Sequence, residues 1–167
     1  GLDLNTLLES MEEEGTVAGL PEKGDRRISA LDVIKDVESD MVVELTPTSI
    51  EDGEPGLTHI KEAMKAGRHV VTSNKGPVVV AFQELEELSE NTGVEFRYSA
   101  TVGGAVPVIG LAERQLAGDR ISEIRGVLNG TTNYILTRMK NEGVPFDVVL
   151  REAKELGIAE KDTTLNI

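Results

Sequence analysis

The feature that most constrains the fold is a regular alternation of short apolar runs and helical patterns. The elements in order are a strand at 41–45, a helix at 57–66, a strand at 69–72, a helix at 77–91 and a strand at 94–98. Strands and helices that alternate at this spacing form right-handed crossovers and a parallel sheet. The alternation therefore predicts half of a doubly wound α/β domain. The short apolar run MVVEL at 41–45 predicts a strand buried on both faces of the sheet.

The rest of the chain is predominantly helical. Helical periodicity indicates a helix over 4–13 that stops at Gly15, and a short helix near 29–36. After Gly104 the pattern changes. It predicts a helix over 105–117, a strand over 119–128 and helices over 130–141 and 145–156. We therefore place a domain boundary that divides the chain into residues 1–102 and residues 103–167.

Charge and composition exclude several classes of function. There are 17 basic and 30 acidic residues, a net charge of −13, which disfavours nucleic acid and anionic membranes as partners. A small anionic cofactor stays compatible, because a helix N-terminus and one lysine can bind it. The absence of cysteine excludes disulfides and thiolate catalysis. With no apolar run of about 20 residues and no leader pattern, we expect a cytoplasmic protein.

Polar residues follow two predicted parallel strands, at the edge of the sheet where α/β proteins bind ligands. Thr46, before Pro47, can hydrogen-bond a nicotinamide ribose or amide, or can simply end its strand. Lys75 lies in a predicted turn over 74–76 and can offer a cation to a carboxylate or to developing negative charge. The alternative for Lys75 is a solvated lysine in a turn.

Two glycine-containing stretches expose backbone. In 100–107 (ATVGGAVP), carbonyl groups can coordinate a hard cation and amides can hold an anion, unless the glycines only form a hinge. In 126–134 (GVLNGTTNY), we expect an Asn129-Gly130 turn and a helix cap at Thr131 or Thr132. Its four polar side chains exceed what a cap needs, which favours ligand contact.

Carboxylates follow the last predicted helix. Glu160 and Asp162 lie in a predicted loop, where a carboxylate can bind a substrate ammonium or a water molecule. The alternative is a solvated loop on an acidic protein.

Six motifs in order resemble those of homoserine dehydrogenases: VVELTPTS, HVVTSNKGP, SATVGGAVPVI, IRGVLNGTTNYILTRM, FDVVLREAKELG and AEKDTTLNI. The opening LDLNTLLESMEEEG is similar to that family's helix before the third strand of its Rossmann domain. The resemblance covers nearly the whole chain, and the LNGTTNYILTRM segment carries it most specifically.

The resemblance implies part of a Rossmann-type dinucleotide-binding domain at 1–102, followed by part of an α+β substrate-binding and dimerisation domain at 103–167. The implied activity is NAD- or NADP-dependent interconversion of L-aspartate 4-semialdehyde and L-homoserine, in the pathway to threonine, methionine and isoleucine. A homodimer is implied as well.

The resemblance also implies roles for single residues. Thr46 matches a cofactor contact, Lys75 a lysine at the junction of cofactor and substrate, and Glu160 the glutamate that binds substrate. A sodium ion is implied at positions that bind it mostly through backbone carbonyls: Ser99, Val102, Gly104 and Val106. No catalytic residue is implied within the chain, because the proton-relaying lysine is expected beyond Ile167.

The chain departs from the family pattern at several positions. Ser99 stands where many members carry Glu, and Thr163 and Asn166 replace a Pro and an Asp, whose charge Asn cannot supply. The family's glycine-rich phosphate loop is expected before residue 1, so we expect a fragment that by itself is inactive and binds cofactor poorly. Two alternatives are a dehydrogenase for another small amino-acid aldehyde and a non-catalytic regulatory or interaction domain.

Overall fold

The computed structural model describes residues 3–20 and 24–159 and consists of seven α-helices and three strands in those ranges. The elements are α1 Leu4–Glu14, α2 Ala30–Asp36, β1 Met41–Glu44, α3 Gly56–Lys65, β2 His69–Thr72, α4 Lys75–Thr92, β3 Phe96–Arg97, α5 Val108–Gly110, α6 Gly130–Glu142 and α7 Phe146–Glu155. A 3₁₀ turn at Ser99–Thr101 follows β3, and a π-helical turn at Leu111–Gln115 continues α5.

The three strands form the predicted parallel sheet, in the order β1-β2-β3. Val42 pairs with Val70, and Val70 with Phe96. Each crossover contains one helix, as the alternation of patterns predicted. The last strand is shorter than the predicted 94–98, with two residues in the ladder.

The core lies between this sheet and its crossover helices. Val70 of β2 is fully buried with Ile60 and Met64 of α3 and Leu85 of α4. The opposite face of β1 is open, since the exposed fraction of Val43 is 59%. The prediction that residues 41–45 are buried on both faces is therefore wrong. Met41 and Leu45 are exposed as well, and β1 lies at the edge of the sheet that the described residues form.

The second part of the chain differs more from its prediction. The helix expected over 105–117 begins at Val108 and becomes π-helical at Leu111. Residues 119–128, predicted as a strand, are exposed and irregular. A strand requires a neighbour to satisfy its backbone groups, and within the described ranges none lies alongside. The predicted helices at 130–141 and 145–156 are confirmed as α6 and α7, which pack against each other.

None of the helices in the described part of the chain is long and apolar enough to cross a membrane.

Candidate functional site

A cavity of about 860 Å³ lies at the carboxyl end of β2. Its walls come from three separate stretches of sequence: the start of α4, the glycine turn before α5, and the start of α6 with the residues before it. The lining residues are Ser73, Lys75, Ala100, Thr101, Val102, Gly103, Gly104, Val106, Val108, Val127, Leu128, Asn129, Gly130 and Asn133. The lining thus combines glycines and apolar residues with small polar side chains and one cation.

Lys75 supplies that cation from the first turn of α4. The carbonyl oxygen of the Asn74 side chain accepts from Gly76 N at 3.1 Å and caps the helix. The turn predicted at 74–76 is therefore wrong, because Asn74 ends the loop and Lys75 begins the helix. Lys75 is exposed and forms no ion pair with any described residue. The helix is kinked at Ala81 (φ −139°, ψ 31°), so its first regular segment ends just before that residue. A free ammonium beside the first amides of this segment favours an anionic group in the cavity.

Gly76 allows the start of α4 to lie close to the loop that follows β1. A Cβ atom at Gly76 would overlap the carbonyl oxygen of Ser49. Gly76 and Pro77 are both buried. The Asn-Lys-Gly sequence therefore places a cation at the sheet edge and removes the side chain that would push the helix away.

Thr46 lies at the same edge but does not line the cavity. Its amide donates to Glu44 Oε1 at 2.7 Å, and its hydroxyl donates to the same oxygen. Thr46 is half-buried. Its polar groups thus stabilise the end of β1, and its contact with a cofactor stays a prediction.

Glu44 is a functional candidate that sequence reasoning missed. Its side chain is 2% exposed and points to the core side of β1. The available signal was a glutamate inside the apolar run MVVEL, two residues after core-facing Val42. Alternation along a strand places both residues on one face, so a buried carboxylate with hydrogen-bond partners was predictable.

The glycine turn before α5 forms part of the cavity wall and carries backbone carbonyl groups. Gly103 and Gly104 have φ values of 71° and 59°, a conformation that favours glycine. Val102, Gly104 and Val106, three of the four predicted sodium positions, line the cavity, whereas Ser99 is outside its lining. Within the described ranges no group of three or more His, Cys, Asp or Glu side chains can hold a metal.

These carbonyl groups keep capacity for an ion. The carbonyl of Ser99 accepts from Val102 N at 3.4 Å, and that of Val106 accepts from Val108 N at 2.8 Å. Each carbonyl oxygen has a second lone pair. The donor set is uncharged oxygen, which suits a hard cation of low charge.

The start of α6 is capped differently from the prediction. Asn129 Oδ1 accepts from Thr132 N at 2.9 Å, so Asn129 is the cap. The predicted turn at Asn129-Gly130 and the predicted threonine cap are therefore wrong. Thr131 is buried, and its hydroxyl donates to the carbonyl of Ile158 at 2.8 Å. Asn133 is exposed and lines the cavity.

The carboxylate-containing loop predicted to bind substrate begins just after α7. Glu160, Asp162, Thr163 and Asn166 lie outside the described residues. The last described residues before that loop are fixed, since Ile158 N and Ala159 N both donate to the carbonyl of Ala153.

Tyr98 joins the sheet to the π-helical turn. Its hydroxyl donates to Glu113 Oε1 at 2.8 Å, and its ring packs edge-on against Phe82 at 5.3 Å between centroids. Burial, the bond to Glu113 and the charges of Glu113 and Glu86 raise the pKa of Tyr98 above its ordinary range. At neutral pH the hydroxyl is therefore a firm donor that holds the segment after the glycine turn against β3.

Comparison with known proteins gives a consistent result. The family profile described as homoserine dehydrogenase matches residues 107–167. The homoserine dehydrogenase of Methanocaldococcus jannaschii is 54% identical over 167 residues, which is 100% of this chain and 49% of that protein. An NAD(+)-dependent homoserine dehydrogenase of Pseudomonas canavaninivorans is 39% identical over 169 residues, 100% of this chain and 47% of that protein.

Solved structures agree with these matches. A hyperthermophilic archaeal homoserine dehydrogenase in complex with NADPH superposes with a TM-score of 0.80 at 30% identity, over 97% of this chain and 49% of that chain. The chain thus spans about half the length of the relatives it matches. The fold predicted from the alternation, part of a Rossmann-type domain, is confirmed. With similarity that extends over its whole length and a matching profile in its second part, the chain belongs to the homoserine dehydrogenase family.

Proposed function

We propose that this chain forms the nicotinamide-side edge and part of the substrate wall of an NAD- or NADP-dependent homoserine dehydrogenase. The reaction is the interconversion of L-aspartate 4-semialdehyde and L-homoserine, in the biosynthesis of threonine, methionine and isoleucine. One observation carries the proposal: a single cavity brings Lys75, at the carboxyl edge of a parallel sheet, to residues 100–108 and 127–133. Relatives that use NAD(+) or bind NADPH support both dinucleotides as candidates.

In this mechanism the residues of the chain bind and orient the substrate and the cofactor. A bound dinucleotide would supply the hydride that reduces the aldehyde to the alcohol, and the alcohol oxygen would take its proton from the protein. We assign the proton relay to a lysine beyond Ile167, following the family resemblance. Lys75 holds an anionic group of substrate or cofactor, Glu160 binds the substrate ammonium, and Thr46 contacts the cofactor. Val102 and Val127 add apolar surface to the cavity, which would shield these polar contacts from water once substrate and cofactor are bound.

The remaining features follow from the same proposal. Residues 1–102 contribute to the dinucleotide-binding domain and 103–167 to the substrate-binding and dimerisation domain of a cytoplasmic homodimer. Backbone carbonyls of Ser99, Val102, Gly104 and Val106 would hold a sodium ion. That ion would fix the glycine turn and, with it, one wall of the cavity.

A direct assay tests the proposal. The complete gene product that contains this sequence is purified and assayed for oxidation of homoserine with NAD(+) and with NADP(+), read as absorbance of the reduced dinucleotide. We expect turnover with at least one of them, and none from the 167-residue polypeptide assayed alone. A complete, folded gene product that binds neither dinucleotide and oxidises no homoserine would refute the proposal.

A further inference from the structure

We infer that Glu44 is a positioning residue for the cofactor edge, and that its carboxylate bridges the two loops that carry Thr46 and Lys75. This inference deepens the proposed function and rests on it. The carboxylate has two oxygens and each bonds a different strand end. Oε1 accepts from Thr46 at the end of β1, and Oε2 accepts from the hydroxyl of Thr72 at 2.9 Å at the end of β2.

The bridge continues to the helix that carries Lys75. Thr72 Oγ1 accepts from Asn74 N at 2.9 Å, and Asn74 Nδ2 donates back to the carbonyl of Thr46 at 3.1 Å. Asn74 also caps α4, whose first residue is Lys75. The side chains thus form a closed ring of hydrogen bonds that fixes Thr46 relative to Lys75.

Because the ring is buried, each of its donors needs an acceptor within the protein, and each acceptor needs a donor. Glu44, Thr72 and Asn74 are 2%, 1% and 3% exposed, so each lost partner leaves a buried polar group without compensation. An ionised carboxylate only accepts, and here both of its oxygens are used. The first residue of α3 covers it, since a Cβ on Gly56 would lie 3.1 Å from Glu44 Cδ.

Substitutions that change single hydrogen-bonding groups can separate the effect of the bridge from the effect of a general loss of stability. Glu44→Gln keeps the shape but has one acceptor oxygen instead of two, so either the Thr72 hydroxyl or the Thr46 amide loses its acceptor. Thr72→Val removes that hydroxyl, and Thr72→Ser keeps it. Ile60→Val, in the core at a fully buried position of α3, controls for loss of stability alone.

The test uses the complete gene product and two measurements. The first is hydrogen exchange of the amides of Thr46 and Asn74, which needs no cofactor. The second is the Kd for NADH and NADPH from nicotinamide fluorescence. We expect Glu44→Gln and Thr72→Val to speed exchange at both amides and to raise the Kd about tenfold. The Kd of the double variant should not exceed that of either single variant, because both substitutions break the same ring of hydrogen bonds.

Each alternative outcome has a distinct meaning. Thr72→Ser should retain the wild-type Kd. Folded Glu44→Gln protein with a wild-type Kd, or an equal rise in Kd in Ile60→Val at the same loss of Tm, would overturn the inference. A wild-type protein that binds neither dinucleotide but shows faster exchange in Glu44→Gln would refute the proposed function and with it the role assigned to Glu44.

Discussion

The hydroxyl of Thr131, in the first turn of α6, donates to the carbonyl oxygen of Ile158 at 2.8 Å, just after α7. The two residues are 27 positions apart, and Thr131 is buried. This bond ties the cavity wall to the chain that leads, one residue after Ala159, to Glu160. The bond therefore links the start of α6, which lines the cavity, to the last described residues before the segment proposed to bind substrate.

We predict that Thr131→Val lowers the free energy of unfolding by about 1 kcal/mol, because the carbonyl of Ile158 loses its buried donor. If Glu160 binds substrate, the same variant raises the KM for homoserine about fivefold. Urea denaturation and steady-state kinetics measure the two effects. Thr131→Ser, which keeps the hydroxyl, is the matched control. Equal stability of the Val and Ser variants would show that the bond contributes nothing.

Gly76 and Gly130 both lie in the first turn of a helix, yet only one has space for a side chain. We predict that Gly76→Ala lowers the free energy of unfolding by about 2 to 3 kcal/mol, because the new Cβ overlaps the Ser49 carbonyl and the backbone must shift. Gly130→Ala meets nothing within 4 Å, so we expect a change within about 1 kcal/mol, towards greater stability. Parallel urea titrations compare them, and similar losses in both variants would contradict the packing explanation.

Glu86, on α4, predicts a pH-dependent contribution to stability. Burial, followed by the negative charges of Glu113 and Glu90, raises the pKa of Glu86 above its ordinary value. The folded state therefore binds this proton more tightly than the unfolded state, and stability falls as the pH rises through the raised pKa. Removing the carboxylate should relieve that loss at neutral pH.

We therefore expect Glu86→Gln to be more stable than wild type at about pH 7 and equal to it near pH 3.5, where both side chains are neutral. The gain is below about 1 kcal/mol, because solvent reaches this side chain and screens the charges. Exposed Glu87→Gln controls for removal of one negative charge from an acidic protein. Urea denaturation at the two pH values is the measurement. A gain that persists at low pH would contradict the electrostatic explanation.

Local periodicity was sufficient to predict the sheet and its crossovers, because the strand and helix patterns within 41–98 are each complete in sequence. The cap at Asn74 was not predicted, since Asn-Lys-Gly suits both a loop turn and a helix start. What decides is the fit of Gly76 against Ser49, a contact between distant residues. The prediction of a strand at 119–128 is wrong for a related reason. Alternation indicates a strand, but a strand also needs a neighbouring strand to pair with.

In the candidate site, too, local features could be predicted from the sequence and contacts between distant residues could not. Lys75 was placed at the sheet edge because strand ends in a parallel sheet share one edge. The burial of Glu44 could have been predicted from its place in the strand, but its partner Thr72 could not, because Thr72 is 28 positions away and nothing local pairs the two. The family resemblance likewise named Thr46 by its position, whereas the structure adds that its hydroxyl is engaged by Glu44.

Lys75→Met provides the most direct test of charge in the cavity. It removes the ammonium and keeps the aliphatic stem, so an anionic group bound at the start of α4 loses its main electrostatic partner. We expect kcat/KM for homoserine to fall about a hundredfold, and the free energy of unfolding to change by less than about 0.5 kcal/mol, because Lys75 is exposed. Kinetics and urea denaturation of the complete gene product measure both quantities.

Two further variants separate charge at this position from charge in general. Lys75→Arg keeps the charge in a planar, bulkier group and should recover part of the lost activity. Lys61→Met, on α3, removes a lysine that does not line the cavity and whose Nζ lies 2.7 Å from Glu84 Oε1. This variant should leave kcat/KM within about twofold of wild type. A Lys75→Met enzyme with wild-type kcat/KM would remove Lys75 from the site, and an equal loss in Lys61→Met would assign the effect to overall charge.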